Sequence, residues 1–502
     1  MRYLGLWLGW LLLLLAVPCR ARRMREPPPP TAVSRVTPVE HWLRVKLNQF
    51  MASDTRTFPM RFYYNDEFAG ENIVIDIGGE WEITSGWTLG GLPYDIAKQL
   101  RAGLFYTEHR FYGKTRPFNN TEVSSLQYLS VHQALADLAQ FIHYIKSDAF
   151  ERGQFKSGKV VVVGCSYAGS MAAWMRQTYP HLVDVAYADS GPVLAQVAYP
   201  EFTTVIIRAI RESGGEECLS RIAMGMKQVK DLLANKTGIA QLSQIFNICT
   251  SYETFTDREV TDFLMILTSP LIDIGLVSTY LKLACAVLTN GTAPHPVQRL
   301  ADLLFALNEM PCMDLNYTNI LGWFRNTSYD SDASEDRVWI YQTCTEFGWY
   351  QTYTSEHEPY FPSIPQHLDY YLQHCRELFF KDFNEERVRQ GVKRTNMMFG
   401  GLTHRPDHLI SVAGTHDPWS VLAPNASHGH TKSPVYVIPR ATHCQALRDS
   451  RRDDSQELRN ARKAVLDFMY ENVYGMTPLS GATHTEATPV LLGLAAAVQF
   501  LH

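Results

Sequence analysis

Basic residues are nowhere clustered in the body of this chain. Its 46 lysines and arginines are outnumbered by 51 aspartates and glutamates, leaving a formal net charge of −5. Without a concentrated positive surface, nucleic acid is an unfavoured partner. No heptad register or internal repeat is visible, which argues against coiled coils and solenoids. None of the nine cysteines stands in the close CxxC spacing common in zinc sites, and no cofactor or metal is expected. Long apolar runs are scarce as well. The main one, residues 4–17, lies between Arg2 and the group Pro18, Cys19, Ala21, Arg22 and Arg23. It is shorter than the roughly 20 residues that span a bilayer. It has the layout of a signal peptide over 1–21, cleaved near Cys19 to Ala21, rather than of a signal anchor.

Other features fit the secretory pathway. Asn119, Asn235, Asn290, Asn316, Asn326 and Asn425 each head an Asn-x-Ser/Thr glycosylation sequon without an intervening proline. With Cys19 removed in the signal, Cys218, Cys249, Cys285, Cys312, Cys344 and Cys375 crowd the middle third. In an oxidising compartment they suggest three bridges, whose pairing their spacing leaves open. Near the C-terminus Ser480-Gly481-Ala482, a short polar spacer and the apolar run 490–498 weakly resemble a lipid-anchor signal within 476–502, the alternative being a disordered or processed tail. The destination is therefore extracellular, cell-surface or lysosomal, with membrane contact only through such an anchor. A homodimer is compatible with the sequence, which leaves oligomeric state open.

A chain of 502 residues, 46% hydrophobic, can bury one large domain with an insertion, or two domains. Residues 22–38, with Pro27 to Pro30 in a row, read as an extended linker or removable pro-segment. Over 39–204 strands and helices alternate. Strands are expected at 61–64, 72–77, 104–107, 160–163 and 183–188, helices at 129–145 and 167–179. Long helical patterns then dominate 205–395 and carry four of the six sequons, marking a helical insertion. Alternation resumes over 396–475, with strands at 408–412 and 434–438 and a helix at 456–474. The four valines at 160–163 suit a strand buried on both faces, and the alternation argues an α/β fold with a mostly parallel sheet.

The chemistry centres on Val163-Gly164-Cys165-Ser166-Tyr167-Ala168-Gly169-Ser170. A buried strand, a tight turn and a helix are the setting of a nucleophile elbow, Gly-x-Ser-x-Gly. Only the central position of an elbow faces the site, which selects Ser166 over Cys165 and Ser170. Ala168 stands at the fifth position in place of glycine. A structural alternative is a small-residue packing turn. Serine needs a base, and in this fold an acid and then a histidine follow it in chain order. Asp417 lies in a loop after one late strand and His443 after the next, where Asp417 would orient and balance the imidazole and His443 would take the serine proton. Taken singly, a turn-forming aspartate before Pro418 and a surface-loop histidine are respectable alternatives. His416 is a rival base, poorly placed beside the acid. Oxyanion donors are expected from the amide of Tyr167 and from Gly78-Gly79-Glu80-Trp81, chiefly Gly79 and Glu80.

With these residues assembled, the chain resembles the prolylcarboxypeptidase-type serine peptidases, a family that includes prolyl carboxypeptidase, dipeptidyl peptidase II and thymus-specific serine protease, and it is most similar to the last. The likeness spans about Lys46 to Tyr474. It rests on Asn48-Gln49-Phe50, Thr57-Phe58, Arg61-Phe62-Tyr63, Gly78-Gly79-Glu80, Glu108-His109-Arg110-Phe111-Tyr112-Gly113, Ser166-Tyr167-Ala168-Gly169-Ser170, Tyr341-Gln342-Thr343-Cys344-Thr345-Glu346-Phe347-Gly348, Gly414 with Asp417-Pro418-Trp419, and His443-Cys444. The resemblance implies an α/β-hydrolase core, a helical cap over the site and a Ser166–Asp417–His443 triad. It also implies cap bridges Cys218–Cys285, Cys249–Cys312 and Cys344–Cys375, and cleavage of peptides next to proline in carboxypeptidase or dipeptidyl-peptidase mode. Glu346 could receive a substrate's free amine, and Trp419, Phe347, Trp349 and Tyr350 could line a prolyl pocket, although core packing is the commoner fate of such rings. Cys165 stands where the family often has glycine, and Ala413 where an asparagine commonly precedes Gly414. Cys165 and Cys444 each adjoin a proposed catalytic residue, and the strict geometry of disulfides weighs against a bridge between them. Other readings are a lipase or carboxylesterase on the same scaffold and a catalytically silent binding protein.

Overall fold

The computed structural model describes residues 26–476 apart from 277, 309, 365–366 and 404. The signal-peptide expectation over 1–21 and the anchor expectation for the tail beyond 476 lie outside the described residues.

Ten strands occur in the order β1 (Val39–Lys46), β2 (Thr57–Asn65), β3 (Asn72–Ile77), β4 (Ala102–Thr107), β5 (Val160–Cys165), β6 (Val185–Asp189), β7 (Gln196–Ala198), β8 (Gly348–Tyr350), β9 (Leu409–Gly414) and β10 (Val435–Ile438). Eight of them form one sheet, β1-β2-β4-β3-β5-β6-β9-β10, in which β2 runs against its neighbours and the strands from β4 to β10 are parallel. This is the α/β-hydrolase arrangement. The valines of β5 show why it forms. Val160 and Val162 join the core with Leu135, Ile142 and Met171, whereas Val161 and Val163 join the opposite core with Ile96, Leu458 and Val465. A strand covered by helices on both faces has no side that can be polar, so its sequence is a continuous apolar run.

Several elements escape the sequence pattern, the short strands β7 and β8 among them. β1 alternates charged and apolar residues at the sheet edge, and the helix Gly91–Leu100 starts at a Gly-Gly pair with Pro93 in its first turn. The expected cut points of the insertion, 205 and 395, fall inside helices. Glu201–Leu233, kinked at Gly215 (φ 83°, ψ 166°), runs through the first point and Glu385–Phe399 through the second, so the change of composition does not coincide with a helix end. The insertion is otherwise helical and holds Cys218–Cys285, Cys249–Cys312 and Cys344–Cys375. Small strands β7 and β8 pair in parallel and join it to the core.

Residues 26–38 form no helix or strand but are not a free linker. The Val33 amide donates to Leu89 O at 2.8 Å, Trp87 Nε1 to Pro27 O at 3.1 Å, and the Thr31 amide to Asp449 at 2.7 Å. All six sequon asparagines are exposed. Among the described residues no helix is long and apolar enough to cross a membrane.

Candidate active site

Between Val160 and Met175 every residue is buried except Ser166. The backbone makes this happen. Ser166 adopts φ 58°, ψ −131° between strand β5 and the helix Tyr167–Thr178. A non-glycine residue at positive φ costs about 1–2 kcal/mol, which the surrounding structure must offset. Gly164 and Gly169 permit the turn: a Cβ on Gly164 would lie 2.2 Å from Ala168 O, and one on Gly169 2.7 Å from Asp189 O. Ala168 fits, buried in the first turn of the helix. The other two hydroxyl or thiol candidates are engaged elsewhere. Ser170 is fully buried and donates to Pro192 O at 2.7 Å, and Cys165 is in a disulfide.

Asp417 ends the turn after β9. Its Oδ1 accepts the Trp419 amide at 3.0 Å and His443 Nδ1 at 2.9 Å. The carboxylate is wholly buried, whereas His443 keeps 15% of its side chain exposed. A carboxylate can only accept, so Nδ1 carries the proton and Nε2 is left with its lone pair, the tautomer a base requires. The rival His416 is bound into the cap: Nε2 pairs with Glu212 at 2.9 Å and Nδ1 meets Ser213 Oγ at 3.3 Å.

The expectation that Cys165 and Cys444 stay apart is corrected. They are bonded, with Cα atoms 5.8 Å apart. Strand β5 and the loop after β10 converge at the C-terminal end of the sheet, which satisfies the geometric demand. The two sulfurs and a His443 ring nitrogen lie within 4.8 Å of one another. Joined to each other, the sulfurs carry no thiolate for a metal. The same loop is held by two residues that sequence analysis misses. Ser190 Oγ accepts the Cys444 amide at 2.9 Å, and Asp189 Oδ2 accepts the Leu447 amide at 2.8 Å. A lone acid closing the apolar run Val185–Asp189 was the available signal.

Three carboxyl groups act on the imidazole. Burial pulls the pKa of His443 down, but the charge and hydrogen bond of Asp417, with Asp189 and Glu80, outweigh it and leave the pKa raised above 6.5. Burial pushes Glu80 up to about 7, opposed by its own backbone amide and by His443. Asp189 is likewise pushed to about 7 by burial, against the Leu447 amide. Glu80 Oε2 takes no hydrogen bond among the described residues.

The expected oxyanion donors sit on constrained backbone. Tyr167 opens a helix, so its amide is one of those the helix cannot satisfy itself. On the other side the chain passes close to β4: the Gly78 amide donates to Thr107 O at 2.8 Å, and a Cβ there would lie 2.2 Å from that oxygen. A Cβ on Gly79 would strike the Trp81 ring at 2.7 Å. The Tyr167 side chain ties this region to the cap. Its hydroxyl donates to His109 Nε2 at 3.1 Å and accepts from Gln342 Nε2 at 3.1 Å.

Glu346 is not open to a substrate amine, a correction to expectation. Both its oxygens accept the Val131 amide at 3.1 Å, at the start of the helix Val131–Ile145, and Gln342 Nε2 donates to it at 3.3 Å. A buried helix N-terminus needs such an acceptor. The rings divide as well. Phe347 stacks on Trp349 at 4.6 Å, Trp349 meets Trp419 edge-on at 5.7 Å, and Trp419 lies 6.5 Å from the His443 ring. Phe347 and Trp349 are buried and Trp419 is half-buried. Tyr350 instead stacks on Tyr371 at 4.9 Å in a separate core, which removes it from the candidate pocket.

The family profile Peptidase_S28, serine carboxypeptidase S28, matches residues 45–465. The thymus-specific serine protease of Mus musculus is 30% identical over 446 residues, covering 85% of this chain and 86% of that protein. The thymus-specific serine protease of Homo sapiens is 29% identical over 444 residues, 84% of each chain. The lysosomal Pro-X carboxypeptidase of Mus musculus is 25% identical over 479 residues, 89% of this chain and 93% of that protein.

Proposed function

The chain belongs to the serine carboxypeptidase S28 family, and from that premise we propose that it is an exopeptidase that cuts peptides next to proline through an acyl-enzyme on Ser166. The observation that carries this reading is the His443–Asp417 hydrogen bond, tied through Cys444–Cys165 to an elbow whose one partly exposed residue is a serine. His443 Nε2 takes the proton from Ser166 Oγ as the oxygen attacks the scissile carbonyl. Asp417 balances the imidazolium. The developing oxyanion faces the Tyr167 amide and the amides of Gly79 and Glu80, each such donor being worth ~10²–10³ in turnover. His443 then protonates the leaving amine, and a water repeats the sequence on the acyl-enzyme.

Trp419, the half-buried ring beside His443, suits one wall of a prolyl pocket, with Trp349 and Phe347 behind it. The name of one relative, lysosomal Pro-X carboxypeptidase, supports a proline preference. The helical insertion Glu201–Phe399 would act as the cap that limits access to peptide ends. Six exposed sequons and four disulfides support the secretory pathway, ending outside the cell, on its surface or in a lysosome.

The test is a panel of proline peptides blocked at the amine, the carboxylate or both, with simple esters alongside. Carboxypeptidase mode requires the free carboxylate and dipeptidyl mode the free amine. Turnover of esters with no turnover of any prolyl peptide would overturn the reading in favour of a carboxylesterase.

A further inference from the structure

We propose that Cys165 and Cys444 are positioning residues of the reaction: their disulfide is a covalent clamp that holds the base-bearing loop against the nucleophile elbow, so that a dithiol reductant suppresses turnover in a folded enzyme. The proposal rests on the assignment of Ser166 and His443 above.

The clamp joins the residue before the nucleophile to the residue after the base. It also joins elements that the sheet keeps apart, since β6 and β9 lie between β5 and β10. β10 is a four-residue edge strand with its two central residues exposed. The loop that follows is tied to the acid loop just before His443, where the His416 amide donates to Ala441 O at 3.0 Å and the Arg440 amide to Thr415 Oγ1 at 2.8 Å, but none of these bonds reaches the elbow. Ser190 takes the Cys444 amide, and the Asp417 carboxylate takes His443 Nδ1. Farther along, Arg462 donates to the carbonyls of Gln445, Ala446 and Asp449, which fixes the distal half of the loop. Cys444 itself sits at φ 56°, a conformation non-glycine residues avoid and one that something must impose. Among the described residues the bridge is the one disulfide between the two halves of the core, spanning 279 positions.

Nucleophile and base must be held within about 0.5 Å of their productive geometry, and a shift of ~1 Å can cost ~10²-fold in rate. Opening the bridge leaves the loop on hydrogen bonds and on the packing of Ala441, Ala446 and Leu447, with no covalent link to the elbow. The chemistry balances: a thiolate of the dithiol attacks one protein sulfur and expels the other, and its second thiol then closes the reductant's own ring. Two electrons and two protons pass to the protein, leaving Cys165 and Cys444 as thiols. Both residues are buried, and attack would come from the mouth of the site, where Ser166 and His443 are partly exposed.

The experiment compares the glycosylated full chain with its Cys165→Ala/Cys444→Ala variant, each with and without dithiothreitol. Fluorophosphonate labelling counts active sites, differential alkylation identifies opened bridges, and circular dichroism monitors folding. The proposal predicts that opening this bridge lowers kcat per labelled site by ~10–100-fold with KM changed less than about threefold. Reoxidation restores the rate. The double variant starts at the low level and does not respond to the reductant. Full kcat per site in the double variant, even with a lowered Tm, would make the bridge merely structural and overturn the proposal. Full kcat in reduced wild type with this bridge open would do the same. Absence of any label on Ser166 in the oxidised wild type would instead overturn the assignment of the nucleophile.

Discussion

His443 donates its Nδ1 proton to Oδ1 of Asp417 at 2.9 Å, across 26 positions of sequence, and the accepting carboxylate has no exposed surface. The pair defines which ring nitrogen is available as a base. Replacing Asp417 by Asn keeps the shape but lets the imidazole take the other tautomer. Peptide turnover should fall by ~10⁴ in kcat, with KM within a few-fold. Steady-state kinetics normalised to folded protein checks this; a loss below tenfold would contradict the pairing's role.

The raised pKa of His443 gives the rate profile a direction. The base works as the neutral imidazole, so kcat/KM should climb as pH rises through a value above 6.5 and fall below it. Glu80, itself near 7, contributes to that elevation when ionised. Glu80→Gln removes the contribution and should move the acid limb to lower pH. A limb that stays put, or moves up, in the pH–rate profile would show that Glu80 does not act on the imidazole.

Glu346 offers a stability counterpart. Burial raises its pKa from 4.5 to about 7, against the Val131 amide and Arg394. Because the folded value lies above the unfolded one, its contribution is complete below about pH 4.5 and is lost as pH rises towards 7. Glu346→Gln escapes that loss. Its Tm relative to wild type should become more favourable between pH 4.5 and 7 and then level off, whereas parallel Tm curves would contradict the burial argument.

Gly164 tests the elbow. A methyl group there would lie 2.2 Å from the backbone oxygen of Ala168, which cannot move without distorting the turn. Gly164→Ala should cost about 1–3 kcal/mol in unfolding free energy and slow fluorophosphonate labelling by ~10². Denaturant titration and labelling kinetics measure the two effects separately.

Trp419 tests the pocket. Trp419→Ala should raise KM for prolyl substrates by ~10–100-fold while changing alanyl analogues less, since the lost ring surface served the larger residue. Equal losses for both would place Trp419 in general packing.

Much of this architecture is legible along the chain. β3 and the helix Gln456–Tyr474 begin and end where their apolar periodicity says they should. The four valines of β5 announce a strand without a polar face. What escapes is whatever depends on a partner distant in sequence. β1 carries charges because it is a sheet edge, and a pattern of burial is hard to see there. Glu346 looks like a ligand-binding acid until the helix that it caps is in place. Cys165 and Cys444 look like two isolated thiols because their proximity exists only once β5 and the loop after β10 reach the same end of the sheet. Asp189 and Ser190 are inconspicuous for the same reason.

The most direct test of the account is to map the fluorophosphonate adduct and time its formation. The account predicts modification of Ser166 in the wild type, none in Ser166→Ala, and a rate in His443→Ala lower by at least ~10³. An adduct on Ser170 or another residue, or labelling of Ser166 that is indifferent to the loss of His443, would contradict it.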